Sequence, residues 1–90
     1  MYEKGKKQGT VRFTMAAGDG MKAVCVAGDF SEWQPVPMRK RQGAFSTTVS
    51  VPPGTHHYKF IVDGQWRSDP ENPQAAPNPY DTLNSVLELG

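Results

Sequence analysis

The sequence lacks the features that several large classes of protein require. It holds a single cysteine, Cys25, which excludes an internal disulfide and a cysteine-built zinc site. Its longest apolar run, residues 23–27, is far shorter than the ~20 residues of a membrane-spanning helix. No apolar stretch follows the basic residues at the start, so the sequence shows no secretory signal. An unpaired thiol without an export signal predicts a cytoplasmic protein.

An excess of charge of one sign is also missing. Ten Lys and Arg residues face nine Asp and Glu residues, so the formal net charge is +1. This balance creates no field strong enough to collect nucleic acid or an anionic membrane, and neither is expected as a partner. The basic cluster Arg39-Lys40-Arg41 could contact nucleic acid or form a solvated hairpin tip, and the near-neutral charge favours the tip.

No segment carries the 3.6-residue apolar repeat of an amphipathic helix. Instead, nine glycines and eight prolines separate short runs in which apolar and polar residues alternate, the pattern of half-buried strands. These runs are 10–15, 23–30, 36–38, 45–51, 56–62, 65–67 and 83–89. About seven short strands predict an all-β fold, an antiparallel immunoglobulin-like β-sandwich of the early-set type.

The length leaves room for one hydrophobic core. The sequence predicts a single β-sandwich domain over residues 10–90, preceded by a flexible basic tail over residues 1–9. That tail carries lysines and glycines and no evident core residue. Residues 69–80 contain four prolines and no periodicity, which predicts a long surface loop.

Catalytic chemistry finds little support in the sequence. His56 and His57 are adjacent in a predicted strand, so their side chains point to opposite faces and cannot chelate one metal. The sequence has no G-x-S-x-G motif, and its carboxylates lie in or beside turns. Such exposed positions do not suit the general acid of glycoside hydrolysis. We therefore expect a non-catalytic protein with no catalytic residue, metal or cofactor.

The two tryptophans stand apart from the alternating core positions. Trp33 lies in a loop of mostly polar residues. If Asp63-Gly64 forms a two-residue hairpin turn, Trp66 and Lys59 share the face opposite Tyr58, whereas a three-residue loop would reverse this arrangement. An exposed indole is a flat apolar platform for a ligand. Either indole could instead cover one end of the sandwich.

Three motifs occur in order along the chain. They are Gly28-Asp29-Phe30-Ser31-Glu32-Trp33, Tyr58-Lys59-Phe60-Ile61-Val62-Asp63-Gly64-Gln65-Trp66 and Thr82-Leu83-Asn84. With them the sequence resembles carbohydrate-binding module family 48, especially the glycogen-binding domain of the AMP-activated protein kinase β subunit. It is similar, more loosely, to the N-terminal domains of isoamylases and branching enzymes.

The resemblance implies binding of an α-1,4-glucan such as glycogen or starch, or of a maltooligosaccharide. Two indoles would stack on glucose rings, and three polar side chains would hydrogen-bond sugar hydroxyls. These implied site residues are Trp33, Trp66, Lys59, Thr82 and Asn84. The module would anchor itself, or an accompanying glycogen- or starch-metabolising enzyme or kinase, to the polymer. No kinase-binding tail follows Gly90, so a kinase-scaffold role is not expected.

One departure from the family concerns the loop before Thr82. The place of a glucan-contacting leucine falls at Tyr80 or Asp81, in a longer and more proline-rich loop. Tyr80 is therefore a further candidate, expected to extend the stacking surface and to set which glucan shapes are accepted, unless it packs on the sandwich edge. The alternative function is a protein–protein interaction module of the same fold, with sugar binding weak or lost.

Overall fold

Two antiparallel sheets face each other in the computed structural model, which describes residues 1–80 and 82–89. The back sheet has the strand order β1-β2-β6-β5, and the front sheet has the order β4-β3-β7-β10-β9, with β8 paired to β7. The strands are β1 (Tyr2–Lys4), β2 (Thr10–Ala16), β3 (Val24–Gly28), β4 (Val36–Pro37), β5 (Arg39–Arg41), β6 (Ala44–Ser50), β7 (Gly54–Val62), β8 (Gln65–Arg67), β9 (Ala75–Pro77) and β10 (Leu83–Leu89). A 3₁₀ turn, Asp29–Ser31, follows β3. The predicted antiparallel β-sandwich is confirmed.

The core lies between the sheets and is built from alternate residues of each strand. Its centre is aromatic: the Phe13 ring of β2 lies 5.0 Å from the Tyr58 ring and 6.5 Å from the Phe60 ring of β7. Because successive side chains of a strand point to opposite faces, burying Tyr58 and Phe60 sends Lys59 and Ile61 to the outer face of the front sheet. The inward alternation predicted for these strands is confirmed.

Strand β7 organises the front sheet because both of its edges are paired. β3 pairs with its second half, and on the other edge β10 pairs with Gly54–Tyr58 while β8 pairs with Phe60–Val62. The connection from β7 to β8 is a two-residue turn, the first of the two loop lengths considered for Asp63-Gly64. Asp63 and Gly64 have φ angles of 48° and 84°, as a tight right-twisted hairpin requires.

Three of the ten strands were not predicted from the alternation pattern, namely β1, β5 and β9. The flexible tail predicted for residues 1–9 is wrong in its first part, because Tyr2–Lys4 pair with β2. Tyr2 faces the core, where its ring meets the Tyr58 ring edge-on at 6.1 Å. A strand this short gives no alternation to recognise, so its aromatic residue was the only signal.

The surface loop predicted for residues 69–80 is also wrong in part. Asp69 is buried, and Ala75–Pro77 form β9 at the edge of the front sheet, where a proline does not interrupt a ladder. Asp69 accepts a hydrogen bond from the Tyr58 hydroxyl (2.6 Å), and its backbone N–H donates to the Ser85 hydroxyl (2.7 Å). Burial, and then the hydrogen bond to Asp69, raise the pKa of Tyr58 above its ordinary value of 10.0.

The basic cluster is a strand and not the tip of its hairpin. Arg39–Arg41 form the exposed edge strand β5, and the turn is made by Gln42 and Gly43, whose φ angles are positive. Leu83 lies on the apolar stripe of β10, at its first residue, and is 51% exposed.

Candidate functional site

The outer face of the front sheet forms a groove of about 900 Å³ that gathers all of the predicted site residues. These are Trp33, Lys59, Trp66, Tyr80, Thr82 and Asn84. The groove is also lined by five residues that were not predicted: Asp29, Thr55, His57, Asn78 and Pro79. Residues from four separate stretches of sequence therefore meet on one surface. Asp81, the other position considered for the family's leucine, lies outside the described residues.

Trp33 is presented by a short, tightly bonded turn after β3. The Trp33 N–H donates to the Gly28 carbonyl (2.8 Å), while both Glu32 and Trp33 adopt left-handed φ angles of 55° and 61°. This region is unfavourable for residues other than glycine and is tolerated where surrounding contacts impose it. The Ser31 hydroxyl supplies such contacts by bonding the Gly28 and Gln34 carbonyls. The turn leaves the Trp33 side chain 36% exposed.

The same turn is tied to β7 by Asp29. Its carboxylate meets the His56 Nδ1 atom at 2.6 Å and accepts the backbone N–H of His57 at 2.9 Å. The His56 Nε2 atom lies 2.8 Å from the Pro52 carbonyl. These contacts fix the position of Trp33 relative to the sheet, so Asp29 and His56 belong to the support of the groove.

Trp66 reaches the groove through the geometry of its hairpin. In the two-residue turn, Trp66 pairs with Ile61 and therefore shares the outer face with Lys59, as predicted. Trp66 is 48% exposed, although tryptophan is highly buried on average. Neither Trp33 nor Trp66 belongs to the core cluster between the sheets, and both line the groove.

A polar cluster lies between the platforms and the loop that precedes β10. The Lys59 ammonium group donates to the Thr82 hydroxyl at 3.1 Å, and Asn84 accepts a hydrogen bond from Asn78 at 2.9 Å. Lys59 and Asn84 are each only 8% exposed, so these two side chains are held in place by neighbours. Asn84 points away from the core and lines the groove.

Tyr80 stands at the rim of the groove and is 84% exposed. The alternative that it packs on the sandwich edge is therefore wrong. The Tyr80 backbone N–H donates to the side-chain oxygen of Asn78 at 2.9 Å, which fixes the backbone while leaving the phenol ring free. An aromatic ring in this setting offers a third flat surface.

Sequence reasoning missed Asn78 and Asp29. The Asn78-Pro79 pair was a usable signal, because asparagine before proline often begins a turn by bonding nearby backbone groups. Asp29 had no such signal, since its partner His56 is distant in sequence. Among residues 1–80 and 82–89, no group of three or more His, Cys, Asp or Glu side chains is placed to hold a metal ion.

Comparison with known families gives the site its context. A family model described as the glycogen recognition site of AMP-activated protein kinase matches residues 11–90. The chain belongs to this family. It is thus a glycogen-recognition module by descent, and the resemblance noted from its motifs is confirmed.

Individual relatives agree with this assignment. The module is 36% identical over 70 residues to the 5'-AMP-activated protein kinase subunit beta-1 of Rattus norvegicus, an alignment that covers 78% of this chain and 26% of the relative. It is 35% identical over 72 residues to subunit beta-2 of Mus musculus, with 79% and 26% covered. The chain thus corresponds to about a quarter of the length of these relatives.

A solved structure agrees on the fold. The maltogenic amylase from S. marinus superposes with a TM-score of 0.83 at 22% identity, over 100% of this chain and 16% of the amylase. At that identity the likeness establishes the shared sandwich alone. Within the described part of the chain, no helix is long and apolar enough to span a membrane.

Proposed function

We propose that this module binds α-1,4-glucans of the glycogen or starch type without acting on them chemically. The observation that carries the proposal is the placement of two exposed indoles, Trp33 and Trp66, beside the polar cluster of Lys59, Thr82 and Asn84 in one open groove. In this proposal the indoles stack on glucose rings, and the polar side chains hydrogen-bond the hydroxyls at the ring edges.

The chemistry of glucose suits such a surface. The axial C–H groups make one face of the ring apolar enough to lie on an indole, while the hydroxyls project from the edge. By analogy with the stacking of bases on aromatic side chains, each platform contributes about 1–3 kcal/mol. The lysine can only donate hydrogen bonds, whereas the threonine hydroxyl can both donate and accept.

The affinity is expected to be modest. The groove is open, so a bound sugar keeps much of its surface in water, and a flexible glucan loses chain freedom on binding. A dissociation constant between ~10 μM and ~1 mM fits these terms. Retention on a polymer then comes from the many equivalent sites that glycogen offers.

Tyr80 is proposed to act as a third platform that selects glucan shape. The loop before it contains Pro73, Pro77 and Pro79, which restrict the backbone and reduce the entropy lost on binding. A flat tyrosine extends a stacking row along a linear chain. It fits less well than a leucine would inside the mouth of a cyclic glucan.

The biological role proposed is anchoring. Because the chain spans about a quarter of its kinase-subunit relatives, the protein that it serves is itself a proposal: a glycogen- or starch-metabolising enzyme or a kinase. A cytoplasmic setting is proposed with it. Cys25 is a free thiol among the described residues, which suits a reducing compartment.

Retention on immobilised polysaccharide tests the proposal. The module should bind amylose resin and glycogen, should be released by maltoheptaose, and should pass through a cellulose column, since the β-linked chain presents its rings in a different geometry. If neither amylose nor glycogen retains the protein, glucan binding is rejected and the interaction-module alternative takes its place.

A further inference from the structure

Asn78, which the family resemblance did not identify as a site residue, is bonded through every polar atom of its side chain. Its Oδ1 atom accepts the backbone N–H groups of Tyr80 (2.9 Å) and Thr82 (3.3 Å). Its Nδ2 atom donates to the Thr82 Oγ1 atom (2.6 Å) and to the Asn84 Oδ1 atom (2.9 Å). Because backbone N–H groups can only donate, the orientation of the Asn78 amide is fixed by its surroundings.

This fixed amide determines which atoms its neighbours offer to a ligand. Asn84 uses its Oδ1 atom to accept from Asn78, so its Nδ2 group is left for the groove. The Thr82 hydroxyl oxygen accepts from both Lys59 (3.1 Å) and Asn78, which occupies both of its lone pairs. The hydroxyl hydrogen of Thr82 is therefore free to donate to a ligand. The Lys59 ammonium group also keeps N–H donors beyond the one that bonds Thr82.

We propose that Asn78 is a positioning residue that turns the polar side of the groove into a surface of hydrogen-bond donors. Lys59, Thr82 and Asn84 then all donate, and the hydroxyl oxygens of a bound glucan act there as acceptors. The proposal rests on the glucan-binding function and specifies its polarity. A ligand that needs to donate at these positions is disfavoured.

Replacing Asn78 by aspartate tests the polarity without removing the loop contacts. In Asn78→Asp the carboxylate still accepts from Tyr80 and Thr82, but the donor to Asn84 is gone. The Asn84 amide must then turn round to donate to the new carboxylate, which leaves its oxygen facing the groove. Affinity for maltoheptaose should fall about tenfold. The sugar loses one hydrogen bond from Asn84, and the Asn84 oxygen then faces a sugar oxygen without a hydrogen between them.

Two further variants complete the design. Gln74→Glu makes the same change of charge at an exposed residue on the other side of β9 and should leave affinity unaltered. Asn84→Asp keeps the acceptor for Asn78 but removes the donor to the sugar, so it should also lose about tenfold. If the wild type binds maltoheptaose and Asn78→Asp or Asn84→Asp binds equally well, the donor polarity is wrong.

Side-chain amide exchange in the wild type gives an answer that does not depend on any variant folding. By ¹⁵N NMR, the Asn78 amide protons should exchange slowly in the free protein, while those of Asn84 should exchange rapidly and become protected when maltoheptaose is added. Protected Asn84 protons or rapidly exchanging Asn78 protons in the free protein would overturn the proposal. A failure of all glucan binding would instead reject the proposed function and leave the free-protein exchange pattern as the test of Asn78.

Discussion

The two sheets have similar inner faces and very different outer faces. On the back sheet, the outward residues of β2 and β6 include no aromatic side chain, and Arg12, Thr48 and Ser50 among them are exposed. On the front sheet, the outer face carries the groove, and it is lined by Trp33, Trp66 and Tyr80, the three exposed aromatic side chains of the described residues. Both sheets turn large apolar side chains inward.

The difference separates what the fold needs from what the function needs. Folding depends on the inward residues, because these bury apolar surface in the core. The outward residues of β2 and β6 face away from the core, so no large apolar side chain is needed there. Trp33, Trp66 and Tyr80 lie outside the core cluster, and in the proposed function these three aromatic rings contact the sugar.

Removing either indole from the groove is expected to have the largest effect on sugar affinity. Trp33→Ala and Trp66→Ala should each weaken maltoheptaose binding by about 1–3 kcal/mol, because each removes one stacking surface. The thermal midpoint of unfolding should change little, since both indoles lie outside the core cluster. Titration calorimetry and a thermal melt of each variant give the two quantities.

The matched control lies on the other sheet. Thr48→Ala replaces an exposed side chain at the middle of β6 and should alter neither affinity nor midpoint. A large fall in the thermal midpoint of either tryptophan variant would show that the residue belongs to the core and not to the binding surface.

The converse change acts on the inner face of the same sheet. Tyr58→Phe removes the hydroxyl that donates to Asp69 and accepts from Asn72, which leaves a buried carboxylate with one donor fewer. Stability should fall by about 1–3 kcal/mol, with glucan affinity unchanged well below the melting temperature. Urea denaturation together with calorimetry checks both values.

The pH dependence of this variant follows from the raised pKa of Tyr58. The folded protein holds the phenol proton more tightly than the unfolded chain does, so this contribution is fully present below the ordinary pKa of 10.0 and is lost as the pH rises above it. The stability difference between wild type and Tyr58→Phe should therefore shrink at alkaline pH. A difference that stays constant from neutral pH to about pH 11 would contradict this origin.

A smaller effect is expected at the rim. Tyr80→Ala should lose affinity for linear maltoheptaose by a few-fold, and Tyr80→Leu should shift preference toward β-cyclodextrin, because a branched side chain enters the ring where a flat phenol does not. Calorimetry on both sugars compares the variants. Identical behaviour of the wild type and both variants would remove Tyr80 from the site.

The smallest expected change is in the response to salt. The ligand is uncharged and the net charge of the module is +1, so affinity for maltoheptaose should be nearly the same at about 50 mM and about 200 mM salt. Titrations at the two concentrations suffice. A steep fall in affinity with salt would contradict binding through stacking and hydrogen bonds to an uncharged sugar.

Much of this arrangement could be predicted because it depends on alternation and turn chemistry. The inward positions of β2 and β7 follow a period of two, and Asp63-Gly64 specifies a two-residue turn that places Trp66 beside Lys59. The motifs shared with the family added the site residues. These signals are local in sequence, so one chain is enough to read them.

The features that were missed depend on contacts between distant parts of the chain. In β1, the ring of Tyr2 packs against the ring of Tyr58. The buried Asp69 is hydrogen-bonded to the Tyr58 and Ser85 hydroxyls. The support of Trp33 by Asp29 and His56 is equally non-local. No pattern within a short window reveals such pairings, because each partner is chosen by the folded geometry.

NMR mapping of the bound sugar tests the central claim most directly. Maltoheptaose added to ¹⁵N-labelled protein should shift the indole N–H signals of Trp33 and Trp66 and the backbone amides of β7, β8 and the start of β10. The amides of β2 and β6 on the back sheet should stay in place. Shifts confined to the back sheet, or no shifts at saturating sugar, would contradict the assignment of glucan binding to the front groove.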